Sequence, residues 1–280
     1  MTHHKIIIGD AFDVLPTLES ESVNLVVTSP PYWNRRDYNT IKQSGYGQTL
    51  KEHLKDMTAA WRECTRILTP DGKIAVNVES IFNKDGNEPV ETIALPFEHY
   101  GILREIDELE FFGEIIWHKG YYRSNKPLLG SYPYPRTFLV GLSGSERILI
   151  FRKCGRRESP NDEIKLRSKL SYDEWLTYAN PIWEFEPTKD KDHPAVFPEE
   201  LPKRLIKMYS FVDDVVLDPF AGSFTSTKAA RDLGRNSISI EIQPKYLEIA
   251  KKRLKIDEQL RTGVVEYEIV ERVMKGGDVH

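Results

Sequence analysis

Val23-Asn24-Leu25-Val26-Val27 reads as a buried strand, and it runs straight into Thr28-Ser29-Pro30-Pro31-Tyr32-Trp33. Two consecutive prolines fix φ and remove two backbone donors, so a sheet ladder cannot continue through them. The strand must end there in a stiff turn whose carbonyls remain outward-facing acceptors beside an aromatic ring. Ser29 Oγ and the Pro30 carbonyl can each accept a hydrogen bond from an exocyclic amino group, and Tyr32 offers a ring face to the base that carries it. Acceptance from both N–H bonds draws the nitrogen lone pair out of conjugation and makes it a better nucleophile. A loop that merely closes a strand can also read Pro-Pro, so the rest of the chain has to decide between the two.

A second strand and turn follow far downstream. Val215-Val216-Leu217 leads into Asp218-Pro219-Phe220-Ala221-Gly222-Ser223-Phe224-Thr225-Ser226, a turn of small residues opening a helix. Backbone N–H groups in such a turn can approach an anionic group, here a carboxylate. Ser237-Ile238-Ser239-Ile240 is the next strand and ends in Glu241, 23 residues after Asp218. That is near the spacing at which an acid at a second strand's end holds ribose hydroxyls. The full Gly-x-Gly-x-x-Gly pattern is absent, which argues against a nicotinamide cofactor.

With these residues in view, the chain resembles the S-adenosylmethionine-dependent amino-methyltransferases of DNA. Ser29 to Tyr32 matches the family's catalytic motif, Ser/Asp/Asn-Pro-Pro-aromatic. The stretch from Asp218 matches its cofactor motif, Asp-Pro-Phe-x-Gly-x-Gly-Thr-Thr, except that Phe224 stands in place of a glycine and Ser226 in place of a threonine. A phenylalanine there costs backbone freedom and would crowd the methionine part of the cofactor site.

The catalytic motif precedes the cofactor motif, the order of the circularly permuted beta group. The resemblance therefore implies a Rossmann-like α/β fold with a mostly parallel seven-stranded sheet and an antiparallel hairpin. Leu68 to Val76 resembles the helix, turn and strand after the catalytic motif, and Arg136 to Arg152, turning at Gly144-Ser145-Glu146, resembles the hairpin. His193 to Pro198, followed by a helix from about Glu199 to Tyr209, resembles the segment that closes over the cofactor. The resemblance also implies Asp10, with Ala11 beside it, as acceptor for the cofactor's adenine amine, and adds Thr28 and Phe197 to that site. Read alone, Asp10 is more often a turn or helix N-cap aspartate than a ligand-binding one.

The implied reaction is in-line transfer of a methyl group from the sulfonium to the amine of a flipped-out base. Serine in the first motif position goes with cytosine N4, and adenine N6 is the alternative. Methylation at cytosine carbon 5 would need a cysteine nucleophile after a proline; Cys64 and Cys154 follow Glu63 and Lys153 instead. The two cysteines also form neither a disulfide framework nor a metal pattern, and no metal is expected.

Composition fits one domain over residues 1–280: 40% of the residues are apolar, enough for a single large core. No apolar run reaches membrane-spanning length and the first residues lead directly into a strand, so a cytoplasmic enzyme is expected. A net charge of −4 is not a basic footprint. The charge is uneven, however. From Trp117 to Arg136 there is no acid, and aromatic and basic residues interleave, which suits a loop over 119–136 ordering on double-stranded DNA. Trp33, Arg35, Arg36, Lys119, Tyr121, Tyr122, Arg123 and Lys126 are the expected contacts, with Arg152-Lys153 and Arg156-Arg157 extending that face.

Residues 155–182 break the core pattern and are expected to form a small target-recognition insert, its work shared with the Tyr121 loop and a second subunit. The helical stripe Leu54, Met57, Trp61, Cys64, Leu68 reads as core, as do Trp117 and Trp183. A cognate restriction endonuclease is a further implied partner. An RNA or small-molecule methyltransferase, or a non-catalytic DNA-binding subunit, would share parts of this pattern.

Overall fold

The computed structural model describes residues 1–33, 44–83, 91–120, 144–188, 198–259 and 264–271. Its strands are β1 (Thr2–Ile8), β2 (Val23–Thr28), β3 (Leu68–Val78), β4 (Ile81–Asn83), β5 (Glu91–Ile93), β6 (Leu109–His118), β7 (Ser145–Lys153), β8 (Ile182–Glu184), β9 (Val215–Asp218), β10 (Asn236–Glu241) and β11 (Val265–Glu271). The helices are α1 (Ala11–Val14), α2 (Leu50–Ile67), α3 (Leu95–Arg104), α4 (Asp162–Arg167), α5 (Tyr172–Ala179), α6 (Glu200–Tyr209), α7 (Thr225–Asp232), α8 (Tyr246–Leu254) and α9 (Ile256–Gln259).

One sheet runs in the order β11-β1-β10-β9-β2-β3-β7-β6-β8, and β4 and β5 form a separate antiparallel pair. The expected seven strands are its centre, from β1 to β6, and β11 and β8 extend its two edges. Among the described strands of this sheet, β7 alone runs against its neighbours, pairing antiparallel with both β3 and β6. It is the second arm of the expected hairpin, but its described partner is β6; residues 136–143, the expected first arm, lie outside the described residues.

Both faces of the sheet are covered, which is why β2 is buried at every position. Successive side chains alternate between two cores. Val26, Ile74, Val76 and Phe151 pack with Met57, Trp61 and Cys64 of α2 and with Leu95 and Leu103 of α3. Leu25, Val27, Ala75, Ile148 and Ile150 pack on the other side with Leu201, Leu205 and Ile206 of α6 and Ala229 and Ala230 of α7. Met57, Trp61 and Cys64 of the α2 stripe, Leu68 at the start of β3 and both tryptophans are therefore core, whereas Leu54 is only half-buried, and Trp117 stacks on Phe185 at 5.3 Å.

Helix α2 begins with a reciprocal cap: the Thr49 hydroxyl accepts from Glu52 N while Glu52 accepts from Thr49 N. It ends where the chain enters β3 directly. The Pro70-Asp71-Gly72 turn is absorbed into that strand, with Asp71 at φ 64°. A Cβ on Gly72 would lie 2.9 Å from Thr69 O, so only glycine fits.

The order of the strands reverses between β9 and β2: the chain steps outward from β9 to β10 on one side and from β2 to β3 on the other. The crevice beyond the carboxyl ends of β9 and β2 is where open α/β sheets hold ligands.

Candidate active site

The two motifs meet at that crevice. Thr28, the last residue of β2, donates through Oγ1 to Asp218 Oδ1 at 2.7 Å, across 190 positions of sequence. Asp218 also accepts from Phe220 N at 3.2 Å and from Ser226 Oγ at 2.7 Å. Ser226 thus supplies the hydroxyl that a threonine would. With burial opposing its charge more than these three donors favour it, the Asp218 carboxyl is pushed up to about 6. Asp218 is committed to joining β9, β2 and α7.

The turn after β9 is fastened to β10. Ala221 N donates to Ile240 O at 2.9 Å, and Gly222 N to Glu241 Oε2 at 2.8 Å. Glu241 Oε1 accepts from Gln243 N at 2.8 Å. Burial is the chief influence on this acid and pushes it up to about 7. Ile8 pairs with Glu241 across β1 and β10, and Gly9 N donates to Glu241 O, so Asp10 lies beside Glu241 at the ends of adjacent strands. Asp10 does cap α1, accepting from Phe12 N at 3.0 Å. Ala11 is buried behind it. Phe220 sits edge-on to Trp61 with ring centroids 6.4 Å apart, while Pro219 and Ser223 are buried. Thr225 Oγ1 bonds Ser223 Oγ and accepts from Arg253.

Phe224 adopts φ 59° and ψ 31°, the left-handed region, so the backbone cost of replacing glycine is present. The expected crowding is not what its ring does. The ring is fully buried with Ile6, Ile8, Ala221, Tyr246, Leu247 and Ala250, in the core under α8.

At the catalytic turn, Pro30 is buried, while Ser29, Pro31 and Tyr32 are half-buried. Ser29 Oγ donates to Tyr32 Oη at 3.3 Å, and Tyr32 Oη donates to Glu146 Oε2 at 3.2 Å. Asn77 Nδ2 donates to the same Glu146 oxygen. Lys119 Nζ bridges Glu146 Oε1 at 2.5 Å and Glu79 Oε1 at 3.0 Å. Burial works against the Lys119 ammonium, but the Glu146 and Glu79 carboxylates outweigh it and push Lys119 above the usual lysine range.

Asn77, Glu79 and Glu146 are hard to single out from the sequence because β3 and β7 bring them together only in the folded sheet. The one local signal is an acid next to a strand-like stretch, Glu79 directly after Val78 and Glu146 two residues before Ile148.

The structure places several of the expected DNA contacts. Lys119, only 13% exposed, is held by two carboxylates. Trp33 is buried in the α2 core and its Nε1 donates to Gln48 O at 2.8 Å, so it anchors the turn's exit. Because β7 is antiparallel, Lys73 pairs with Arg152 and Val78 with Arg147, which puts Arg152 and Lys153 where the parallel strands begin, opposite the crevice. Arg152 pairs there with Glu110, and Arg157 is bidentate on Asp214, just before β9, at 2.8 and 2.6 Å.

The 155–182 segment is anchored at that same far end, with Val212 N donating to Ser168 Oγ. It returns toward the crevice only through β8, parallel to the last residues of β6. Arg35, Arg36, Tyr121, Tyr122, Arg123, Lys126 and Phe197 lie outside the described residues. Neither cysteine touches the site: Cys64 is in the α2 core, where burial pushes its thiol up, and Cys154 is exposed after β7.

A sheet whose two central strands deliver a Pro-Pro-aromatic turn and an acid-fastened small-residue turn to one crevice is the architecture of an amino-methyltransferase. Residues 23–252 match the family model for DNA methylases of the N6/N4 type. The type II methyltransferase M.MjaI of Methanocaldococcus jannaschii is 34% identical, over 94% of each chain. A Thermus thermophilus protein named as a candidate DNA modification methylase, solved complexed with S-adenosyl-L-methionine, is 31% identical with a TM-score of 0.74, over 95% of this chain and 99% of that one. The cytosine-N4-specific PvuII DNA methyltransferase shares the fold, with a TM-score of 0.67 at 20% identity over 96% and 95% of the two chains. The chain belongs to the N6/N4 DNA methylase family. No helix among the described residues is long and apolar enough to cross a membrane.

Proposed function

We propose that this DNA methylase transfers a methyl group from S-adenosylmethionine to the N4 amine of cytosine within a specific site of double-stranded DNA. The observation that carries the reading is the 2.7 Å Thr28–Asp218 contact, which locks the amine-accepting turn to the donor-binding turn. The residues fit the methyl donor. In its ionised form Glu241 is an acceptor-only group whose two oxygens have capacity beyond their backbone donors, as a ribose diol requires. Asp10 on the adjacent strand suits the adenine amine, and the Pro219–Thr225 turn suits the methionine carboxylate. When bound, the donor supplies an electrophilic methyl group.

Ser29 Oγ and the Pro30 carbonyl accept from the target amine and orient its lone pair, while Tyr32 flanks the flipped base. Serine at position 29 favours cytosine N4 over adenine N6. Lys126, Arg123 and their neighbours in 119–136, with Arg35 and Arg36, are the proposed DNA contacts, and a cognate restriction endonuclease is the proposed functional partner.

The test is incubation of the protein with unmodified genomic DNA and methyl-labelled S-adenosylmethionine, then digestion to nucleosides and mass spectrometry. Label in N4-methylcytosine is the expected outcome. Label in N6-methyladenine would keep the fold and the chemistry but overturn the Ser29 assignment, and no label in DNA would overturn the reading.

A further inference from the structure

The hydrogen-bond chain from Ser29 has only one direction. Glu146 meets a donor at each oxygen, Lys119 Nζ on Oε1 and Asn77 Nδ2 on Oε2, so it stands in the chain as a pure acceptor. Tyr32 must then spend its proton on Glu146, and Ser29 must spend its own on Tyr32. Both Ser29 lone pairs remain for an incoming amine, and a chain ending in an anion strengthens each acceptor along it. Were the far end a donor, the chain would run the other way and Ser29 would lose an acceptor site.

We propose that Ser29, Tyr32 and Glu146 form a one-way proton relay that fixes Ser29 as acceptor for the target amine and removes the proton the amine loses on methylation. The inference rests on the amine-methylation reading above. As the nitrogen lone pair forms the N–C bond, the C–S bond breaks and its electron pair stays on sulfur. The nitrogen is left with one proton too many. That proton passes to Ser29 Oγ while the Ser29 proton passes to Tyr32 Oη and the Tyr32 proton to Glu146 Oε2. Ser29 and Tyr32 end as neutral hydroxyls, and Glu146 holds the proton until solvent removes it.

Lys119 Nζ, 2.5 Å from Glu146 Oε1 and 3.0 Å from Glu79 Oε1, holds Glu146 in place so that its Oε2 faces Tyr32. Glu146 acts through Tyr32 and is a positioning residue, whereas Ser29 touches the substrate.

Glu146→Gln tests the direction of the relay with little change of shape. The glutamine carbonyl must face the Lys119 ammonium, which turns its NH2 toward Tyr32 and Asn77. Asn77 can match it, because its Oδ1 has no partner in the buried cluster and the amide can rotate. Tyr32→Phe breaks the relay but keeps the ring. We expect each variant to keep the wild-type melting profile and to bind S-adenosylmethionine and DNA within about twofold, but to lower the single-turnover methylation rate on the order of 10²-fold. The double variant should lose no more than the worse single one, as members of one chain do. Wild-type rates in either variant, or multiplied losses in the double variant, would overturn the relay while leaving the function intact. A wild type that methylates no DNA at all would remove the reading beneath it, so the two failures are distinguishable.

Discussion

Replacing Phe224 by glycine sets two physical effects against each other. The ring is fully buried among Ile6, Ile8, Tyr246, Leu247 and Ala250. Truncating a buried phenylalanine costs about 3–5 kcal/mol through lost burial and the cavity left behind. Against this, the residue sits at φ 59°, and releasing a side chain from the left-handed region returns about 1–2 kcal/mol. The net expectation is a loss of roughly 1–4 kcal/mol, or a fall in melting temperature of roughly 2–16 °C for a chain near this size. Urea denaturation measures the stability, and calorimetric titration with S-adenosylmethionine measures the site, where affinity should not improve because the ring points into the core. A glycine variant that is as stable as the wild type, or that binds the donor more tightly, would refute this account and restore the crowding suggested by sequence.

Other expectations can be checked independently. Glu241 and Asp218 are raised to about 7 and about 6, so each favours its protonated form in the fold. Their contribution to the stability of the free protein is full below the ordinary carboxylate values and is lost as pH rises through about 7. If hydroxyl donors of the bound ribose favour ionised Glu241, binding must release protons: donor affinity should rise between about pH 6 and 8, and Glu241→Gln should flatten that dependence. Thr28→Val leaves Asp218 Oδ1 with only the Phe220 N–H at 3.2 Å. It should cost about 1–3 kcal/mol in urea denaturation, and a neutral result would show that the contact does not join the motifs. Changing Arg152 and Arg156 together to alanine should leave DNA affinity and its salt dependence unchanged, because Arg152 lies at the end of the sheet away from the crevice; a reduced salt slope would place phosphate there.

Local signals in the sequence were read well, and convergent ones were not. The Thr28-Ser29-Pro30-Pro31 stop, the Asp218 turn and the Glu241 strand end each follow from backbone chemistry within a few residues, and all three lie where that chemistry puts them. Helix α2, signalled by the stripe from Leu54 to Leu68, spans Leu50 to Ile67, because its apolar stripe and its cap are both local. The acids around Lys119 were missed because they belong to different strands, and no spacing within either strand announces the other. The same gap misled the reading of charge. Lys119, Arg152 and Arg157 look like free cations in one dimension, but each has a carboxylate partner well separated in sequence. Which end of the sheet a basic residue occupies depends on the direction of β7, and composition carries no trace of that.

The contact between Thr28 and Asp218 also has a consequence for synthesis of the chain. Strand β2 has β3 on one side and β9 on the other, and β9 lies 190 residues later. At about 5–20 residues per second, a ribosome needs roughly 10–40 s to make that interval. Throughout it the edge of β2 that β9 will cover, including Leu25 and Val26, is unpaired. An open apolar edge is a template for joining another chain, so this enzyme should lean on chaperones during translation and complete its crevice only when Asp218 emerges.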